Sequence, residues 1–213
     1  MPRRFALWSV ALWLSLAGAA QAQTAQPLLL VASPDLRGSY RETLLVAVPA
    51  AGGHVGFILN RATETKLATM FPGHPPSAKV AEPVYYGGPQ MEDTIFAVVR
   101  RDPGGKAAPF FGDLFIAYRR DALDRIIERM PNDARYFAGF VAWEPDELAD
   151  EIDAGFWYVA DADPSLFFRR DIDTLWHDLV TRLGNGHAPQ RGPGFWSVQL
   201  GHETSDAPRP RAQ

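Results

Sequence analysis

Short apolar runs divided by glycine, proline and aspartate limit how this chain can fold. Eight runs of four to eight residues have the length and the flanking residues of β-strands. They outnumber the segments with helical periodicity and do not alternate with them, which argues against a doubly wound parallel sheet. The predicted strands cover residues 28–32, 43–48, 55–60, 83–86, 95–99, 114–118, 136–143 and 156–160.

Four segments have the periodicity of amphipathic helices. The clearest covers 121–130, where apolar residues recur every three or four positions and a proline follows. A second is predicted for 145–154, with Pro145 as its first helical residue and a glycine after its end. A third covers 171–183 and also precedes a glycine, and a shorter one covers 65–71.

These elements predict one α+β domain over residues 28–184, built on a strongly bent, mostly antiparallel sheet flanked by three to four helices. Residues 23–27 form a short polar linker ahead of the domain. Residues 185–213 are rich in glycine and proline, so we expect a largely disordered tail. Within this tail the apolar patch at 195–200 could dock back onto the domain.

Residues 1–22 have the pattern of a secretory signal peptide. Arg3 and Arg4 precede an apolar run of about 15 residues, shorter than the roughly 20 that a transmembrane helix needs. Ala20-Gln21-Ala22 then places small residues at the cleavage positions. We predict cleavage after residue 22 and a periplasmic protein with no transmembrane span. The alternatives are an uncleaved anchor and a wrongly assigned start of translation.

Composition excludes several classes of chemistry. The chain contains no cysteine, which excludes disulfides, thiolate catalysis, cysteine-ligated zinc and iron–sulfur clusters. Its formal charge is −4, and removal of the leader with its two arginines lowers the charge to −6. An acidic chain without a run of five or more Lys or Arg has no general attraction for phosphate backbones. We therefore expect no nucleic-acid partner.

Asn60 and Arg61 follow the apolar part of a predicted strand. An amide and a guanidinium in this position could form the rim of a site for a carboxylate or a phosphate. The alternative is a structural role, in which Asn60 caps the turn and Arg61 bonds a local carbonyl or carboxylate group. The sequence leaves both interpretations open.

A glycine-rich turn, Tyr85-Tyr86-Gly87-Gly88-Pro89, follows the fourth predicted strand. Its amides could bind an anion, but the turn lacks the lysine and the following Ser or Thr of a phosphate loop. Turn geometry is the other explanation, because glycine permits positive φ and a close approach of two backbones.

One predicted helix carries four carboxylates: Asp146, Glu147, Asp150 and Glu151. Neighbours four residues apart could hold a cation or share a proton. Alternatively, the four form a solvated face that suits the helix dipole. Trp143 and Trp157 lie on either side of this helix, and we expect them to clamp it to the sheet rather than to bind a sugar.

Familiar catalytic and cofactor motifs do not occur in the sequence. The histidines lack metal-ligand spacing, and neither a Gly-x-Ser-x-Gly elbow nor a dinucleotide-binding loop is found. We therefore predict no metal and no cofactor, and we favour a protein that is not an enzyme.

Several segments, in their order along the chain, resemble the YqgE/AlgH family, a UPF0301-type domain of unknown function. The resemblance covers about residues 28–184. Ala62, Gln90 and the pair Asp146-Glu147 depart from the family pattern. The matching segments are 28–34, 56–61, Tyr86-Gly87-Gly88-Pro89, Phe140-Val141-Ala142-Trp143, Leu148, Glu151, Trp157 and Trp176.

This resemblance implies a compact α+β fold with a bent, barrel-like sheet, and no established activity. One branch of the family carries a label of transcriptional regulation linked to alginate production, which transfers poorly to an exported acidic chain without a helix-turn-helix pattern. If the replaced residues shape a ligand pocket in the family, this member has altered that pocket. The site candidates that the motifs supply are Asn60, Arg61, Gly87, Gly88, Pro89, Trp143 and Glu151.

The leading hypothesis is a non-enzymatic periplasmic domain that binds an unknown envelope protein or a small ligand. In that hypothesis Asn60, Arg61 and the Gly87-Gly88 turn form one surface near Trp143 and Glu151. A first alternative is an envelope-acting hydrolase or lyase that uses Glu147 or Glu151 as acid/base, with Arg61 binding an anion. A second is a cytoplasmic transcriptional regulator, which requires the leader to be an artefact of translation assignment.

Overall fold

A computed structural model describes residues 26–184 as ten strands and four helices, with three short 3-10 turns among them. The predicted leader and tail lie outside the described residues. The strands are β1 (Leu28–Ala32), β2 (Leu44–Ala50), β3 (Gly53–Ile58), β4 (Ala62–Lys66), β5 (Pro83–Tyr86), β6 (Gln90–Val99), β7 (Ala108–Phe111), β8 (Leu114–Ala117), β9 (Ala134–Trp143) and β10 (Trp157–Asp161). The helices are α1 (Leu67–Met70), α2 (Arg120–Arg129), α3 (Glu147–Asp153) and α4 (Ile172–Gly184), and the 3-10 turns cover Gly38–Tyr40, Pro75–Lys79 and Pro164–Phe168.

All ten strands join one curled sheet that forms a half-barrel. Eight of them follow in the order β10-β1-β2-β3-β9-β6-β8-β7, and β5 attaches β4 to the side of β9. Every pairing is antiparallel except that of β5 with β9. The predicted α+β domain with a bent, mostly antiparallel sheet is therefore confirmed. No helix in the described range has the length and apolar character needed to cross a membrane.

Strand β9 belongs to both halves of the sheet. One of its edges pairs with β6, while the other edge pairs first with β5, up to Ala138, and then with β3, from Val141 onwards. Gly139 lies between these two pairings and adopts a φ of 70°. A left-handed residue inside a strand bends it, and this bend is where the neighbour of β9 changes from β5 to β3.

The change of neighbour depends on a close approach of backbones, which we call the glycine crossing: Gly87, Gly88 and Gly139. A Cβ atom on Gly87 or Gly88 would overlap the backbone of Gly139 or of the next residue. Gly87 N donates to Ala138 O at 2.8 Å, and Gly87 O accepts from Ile58 N at 3.0 Å. The chain leaving β5 thus bridges β9 and β3 directly, because no side chain separates the backbones.

The helices close both faces of the curled sheet. On the concave face, the ring of Phe57 contacts the rings of four other phenylalanines: Phe96, Phe110, Phe137 and Phe167. Helix α4 packs on this cluster through Ile172, Leu175 and Trp176. On the other face, α2 covers β6 and β8, and α3 covers β1, β2 and β3. The core therefore continues through the sheet on both sides.

Three local expectations differ from the structure. Strands β4 and β7 were not predicted, because β4 is polar throughout and β7 contains Pro109. Strand β6 begins at Gln90 rather than at residue 95. The prediction that Pro145 is the first helical residue is wrong: α3 begins at Glu147, since Asp146 adopts a φ of 70° and interrupts the helical conformation before it.

The glycine crossing generates a stability prediction. We expect Gly139→Ala to lower the free energy of unfolding by about 3 kcal/mol, because alanine is strained at positive φ and its methyl group would overlap the Gly88 backbone. Gly73→Ala is the matched control, since a Cβ atom at Gly73 meets nothing within 4 Å. Urea denaturation should place the control within about 0.5 kcal/mol of the parent. Equal losses for both variants would contradict the assigned role of the crossing.

Candidate functional site

Asn60 and Arg61 tie the end of β3 to the loop between β1 and β2. Asn60 Oδ1 accepts from Leu44 N at 2.9 Å, and its Nδ2 donates to Glu42 O at 2.8 Å. Arg61 Nη2 donates to the carbonyl of Arg41 and to Oγ1 of Thr43, both at 3.1 Å. Both side chains therefore make the local contacts of the structural interpretation. Those contacts also fix the direction of the Arg61 guanidinium.

A shallow cavity of about 250 Å³ lies beside these contacts. Its floor includes Trp176, whose indole N–H donates to Ala32 O at 2.9 Å, and the ring of His177 meets that indole edge-on at 4.9 Å. The remaining lining is polar and carries two guanidinium groups. The residues that line the cavity are Arg41, Glu42, Asn60, Arg61, Trp176 and His177. We call it the Arg61 cavity.

Backbone strain marks the rim of the Arg61 cavity. Glu42 adopts a φ of 55°, a conformation that non-glycine residues adopt rarely. Its carbonyl accepts the hydrogen bond from Asn60, and its carboxylate lies 3.4 Å from Arg41 Nε. Such strain persists where surrounding contacts hold it, and Asn60 is the side chain that does so here.

The glycine-rich turn is joined to the Asn60-Arg61 pair through the backbone. Tyr86 N donates to Arg61 O at 2.8 Å, directly before the glycine crossing. The structure thus brings together Asn60, Arg61 and the Gly87-Gly88-Pro89 turn. The Gly87 amide is already bonded to β9, so the close approach of backbones accounts for this glycine.

Glu151 of α3 holds two tryptophans. Its Oε2 accepts from the indole nitrogens of Trp143 at 2.9 Å and Trp157 at 2.8 Å, and both tryptophans are 5% exposed. The ring of Tyr40 meets Trp157 edge-on at 5.9 Å. The expectation that the tryptophans clamp the acidic helix to the sheet describes this geometry, with a carboxylate as the shared acceptor.

Two tyrosines connect the neighbourhoods of Glu151 and Arg61. Burial raises the pKa of Tyr40, and the charge of Glu151 raises it further while Arg61 lowers it. Burial also raises the pKa of Tyr86 to about 12, helped by a hydrogen bond of its hydroxyl to Glu92 at 3.0 Å. Sequence reasoning did not select these phenols. The only available signal was the position of Tyr86 beside the two glycines.

Glu147 makes a local contact and lines a different depression. Its Oε2 accepts from Glu144 N at 2.8 Å, which satisfies a free amide just before α3. It borders a groove of about 490 Å³ that Arg61 does not line, and Glu151 borders neither the groove nor the Arg61 cavity. The residues of the hydrolase or lyase hypothesis therefore do not share one of these cavities. Within residues 26–184, no group of His, Asp or Glu side chains is arranged to hold a metal ion.

The shared carboxylate generates a second stability prediction. We expect Glu151→Ala to lower the free energy of unfolding by about 2–3 kcal/mol, because two buried indole N–H groups lose a charged acceptor. Asp153→Ala changes an exposed carboxylate on the same helix, and we expect an effect within about 0.5 kcal/mol. Urea denaturation followed by tryptophan fluorescence measures both. A similar change in the two variants would contradict a structural role for Glu151.

Sequence comparison places this chain among proteins of unassigned function. The model of the AlgH-like family (DUF179) matches residues 29–188. A UPF0301 protein of Chlorobaculum parvum is 31% identical over 165 residues, which cover 75% of this chain and 87% of the relative. A UPF0301 protein of Chlorobium limicola is 32% identical over 162 residues, which cover 74% of this chain and 85% of the relative.

Two solved structures have a similar fold. The solution structure of AlgH from Pseudomonas aeruginosa gives a TM-score of 0.61 at 19% identity, covering 84% of this chain and 100% of that protein. The crystal structure of DIP2367 from Corynebacterium diphtheriae gives 0.58 at 23% identity, covering 74% of this chain and 86% of that protein. The family match spans the half-barrel and its motifs in order, and it confirms the resemblance: this chain belongs to the AlgH-like family.

Proposed function

We propose that this protein is an exported binding domain that recognises an anionic group on a ligand or partner of the cell envelope. The observation that carries the proposal is the Arg61 guanidinium, held by the Arg41 carbonyl and the Thr43 hydroxyl at the wall of a polar cavity. An arginine fixed in this way is preorganised, so little side-chain entropy is lost when it meets a carboxylate or a phosphate.

The charges around the Arg61 cavity support an anionic ligand. Two guanidinium groups and one carboxylate line it, so the fixed charge of the lining is positive although the chain as a whole carries −4. Only Nη2 of Arg61 is used in the two hydrogen bonds to the loop, which leaves its other donors for a ligand. His177 adds a further ring nitrogen at the rim.

The size of the cavity favours recognition of a group rather than a whole molecule. At about 250 Å³ it is smaller than the roughly 300–1,000 Å³ typical of drug-sized ligand sites. A carboxylate or phosphate at the end of a peptide, or displayed on a larger molecule, suits this volume. The carboxylates of the enzyme hypothesis make structural contacts instead, which supports binding as the activity.

The sequence before β1 supports export. The basic start, the apolar run and Ala20-Gln21-Ala22 form a complete leader, and β1 begins at Leu28, a few residues after the predicted cleavage position. A ligand of the cell envelope is the one that a protein released into the periplasm would meet.

Anion binding can be tested by NMR titration of the mature chain with inorganic phosphate and, separately, with acetate. We expect Arg41→Gln to weaken binding about tenfold through loss of one charged donor, which corresponds to about 1.4 kcal/mol. Arg41 is preferred to Arg61 for the first variant, because its side chain holds no backbone carbonyl group. Arg61→Lys should weaken binding as well, since lysine keeps the charge and loses the planar fork.

Arg37→Gln is the matched control for Arg41→Gln. Arg37 lies in the same loop, is exposed and carries the same charge, but it does not line the Arg61 cavity. Binding should be unchanged in this variant. If Arg37→Gln and Arg41→Gln weaken binding equally, the attraction is a general charge effect and the proposed site is wrong.

Export can be tested by the intact mass of the native protein in separated periplasmic and cytoplasmic fractions. We expect a periplasmic species that begins at Gln23. A cytoplasmic species that begins near Leu28 would contradict export and restore the intracellular interpretation of this family member.

A further inference from the structure

Strand β10 leaves one edge of the sheet open. Ser33 N donates to Phe156 O, and the register pairs Val31 with Tyr158. Hydrogen-bonded and non-bonded pairs alternate in an antiparallel ladder, so Tyr158 faces β1 with its backbone groups. The backbone N–H and C=O groups of Trp157, Val159 and Asp161 then point away from β1. No turn or loop in the described range bonds to them.

The other two edges of the sheet are protected in ways that β10 is not. Strand β7 contains Pro109 and an irregular register, and β4 has an irregular register and two charged side chains. Proline, bulges and charges are the devices that prevent an edge from accepting another strand. Strand β10 pairs with β1 in unbroken register over five residues and contains neither proline nor lysine. It is the edge best suited to pairing.

Apolar side chains on one face of this edge are only half covered. Tyr158 and Ala160 of β10 lie on the concave side, together with three residues from the last turns of α4. All of them pack against the concave core and remain partly exposed. A strand added beside β10 would cover this strip with every second side chain. The residues of α4 in the strip are Leu179, Val180 and Leu183.

We propose that residues 195–200 of the same chain pair with β10 as an additional strand. The segment reads Phe195-Trp196-Ser197-Val198-Gln199-Leu200, so Trp196, Val198 and Leu200 share one face and alternate with polar residues. This alternation is the pattern of a strand whose apolar face covers the exposed strip while its polar side chains stay outward.

The position where the described chain ends supports an intramolecular contact. Helix α4 ends at Gly184, where a Cβ atom would lie 3.6 Å from the Tyr158 hydroxyl. The ten residues from 185 to 194 can span roughly 35 Å when extended, and a five-residue strand is about 17 Å long. The segment can therefore reach the edge of β10 in either direction.

Hydrogen exchange at the Val159 amide tests the proposal. Because this N–H points away from β1, only an added strand can protect it. We compare the mature chain with a chain truncated after residue 188. We expect the Val159 amide to exchange about tenfold faster after truncation, while the Tyr158 amide, bonded to β1, stays unchanged. Equal exchange of the Val159 amide in both chains would overturn the proposal.

Two point variants separate pairing from any general effect of truncation. Val198→Asp places a charge on the face that covers the strip and should deprotect the Val159 amide. Gln199→Asp is the matched control, because it places the same group on the opposite face and should leave protection unchanged. Loss of protection in both variants, or in neither, would overturn the proposed face.

The exchange is also measured at several protein concentrations. Protection of the Val159 amide that is independent of concentration supports pairing within one chain. Protection that grows with concentration would mean that the edge pairs with a second copy, and the intramolecular proposal would be wrong.

Discussion

The fold depends on a contact of backbone against backbone at Gly87, Gly88 and Gly139. There β9 bends and exchanges β5 for β3 as its neighbour, so that one strand serves both halves of the half-barrel. The concave phenylalanine cluster draws residues from both halves and requires that arrangement. The same crossing sets the position of Arg61, whose carbonyl is bonded to Tyr86 just before the glycines.

Charged side chains in this protein do structural work as well as offering a binding surface. Glu151 orients two buried indoles, and Arg61 supports a strained loop while facing a cavity. A guanidinium has five donors, so one nitrogen can hold the loop while the others remain for a ligand. The carboxylate oxygen that accepts two indole N–H groups has less capacity left. This difference in donor and acceptor numbers separates the candidate binding residue from the structural one.

Periodicity and punctuation in the sequence were sufficient for the main elements, and tertiary context decided the rest. Helix α2 could be predicted because its apolar stripe is regular and a proline follows it. Strand β4 could not, since it is polar and exists through its pairing with β5. The candidates around Asn60 and Gly87 came from motif resemblance, but their contacts join segments far apart in sequence. Tyr40 carries no local signal, because its environment is created by Trp157 and Glu151.

The position of β1 has a consequence for biogenesis. The strand nearest the leader is an interior strand, paired on one side with β2 and on the other with β10. Its second partner ends at Asp161, so the sheet cannot close around β1 until almost the whole domain has been synthesised. For a chain threaded outward during or soon after translation, this late closure keeps the emerging polypeptide unfolded. The half-barrel would then be completed only on the far side of the membrane.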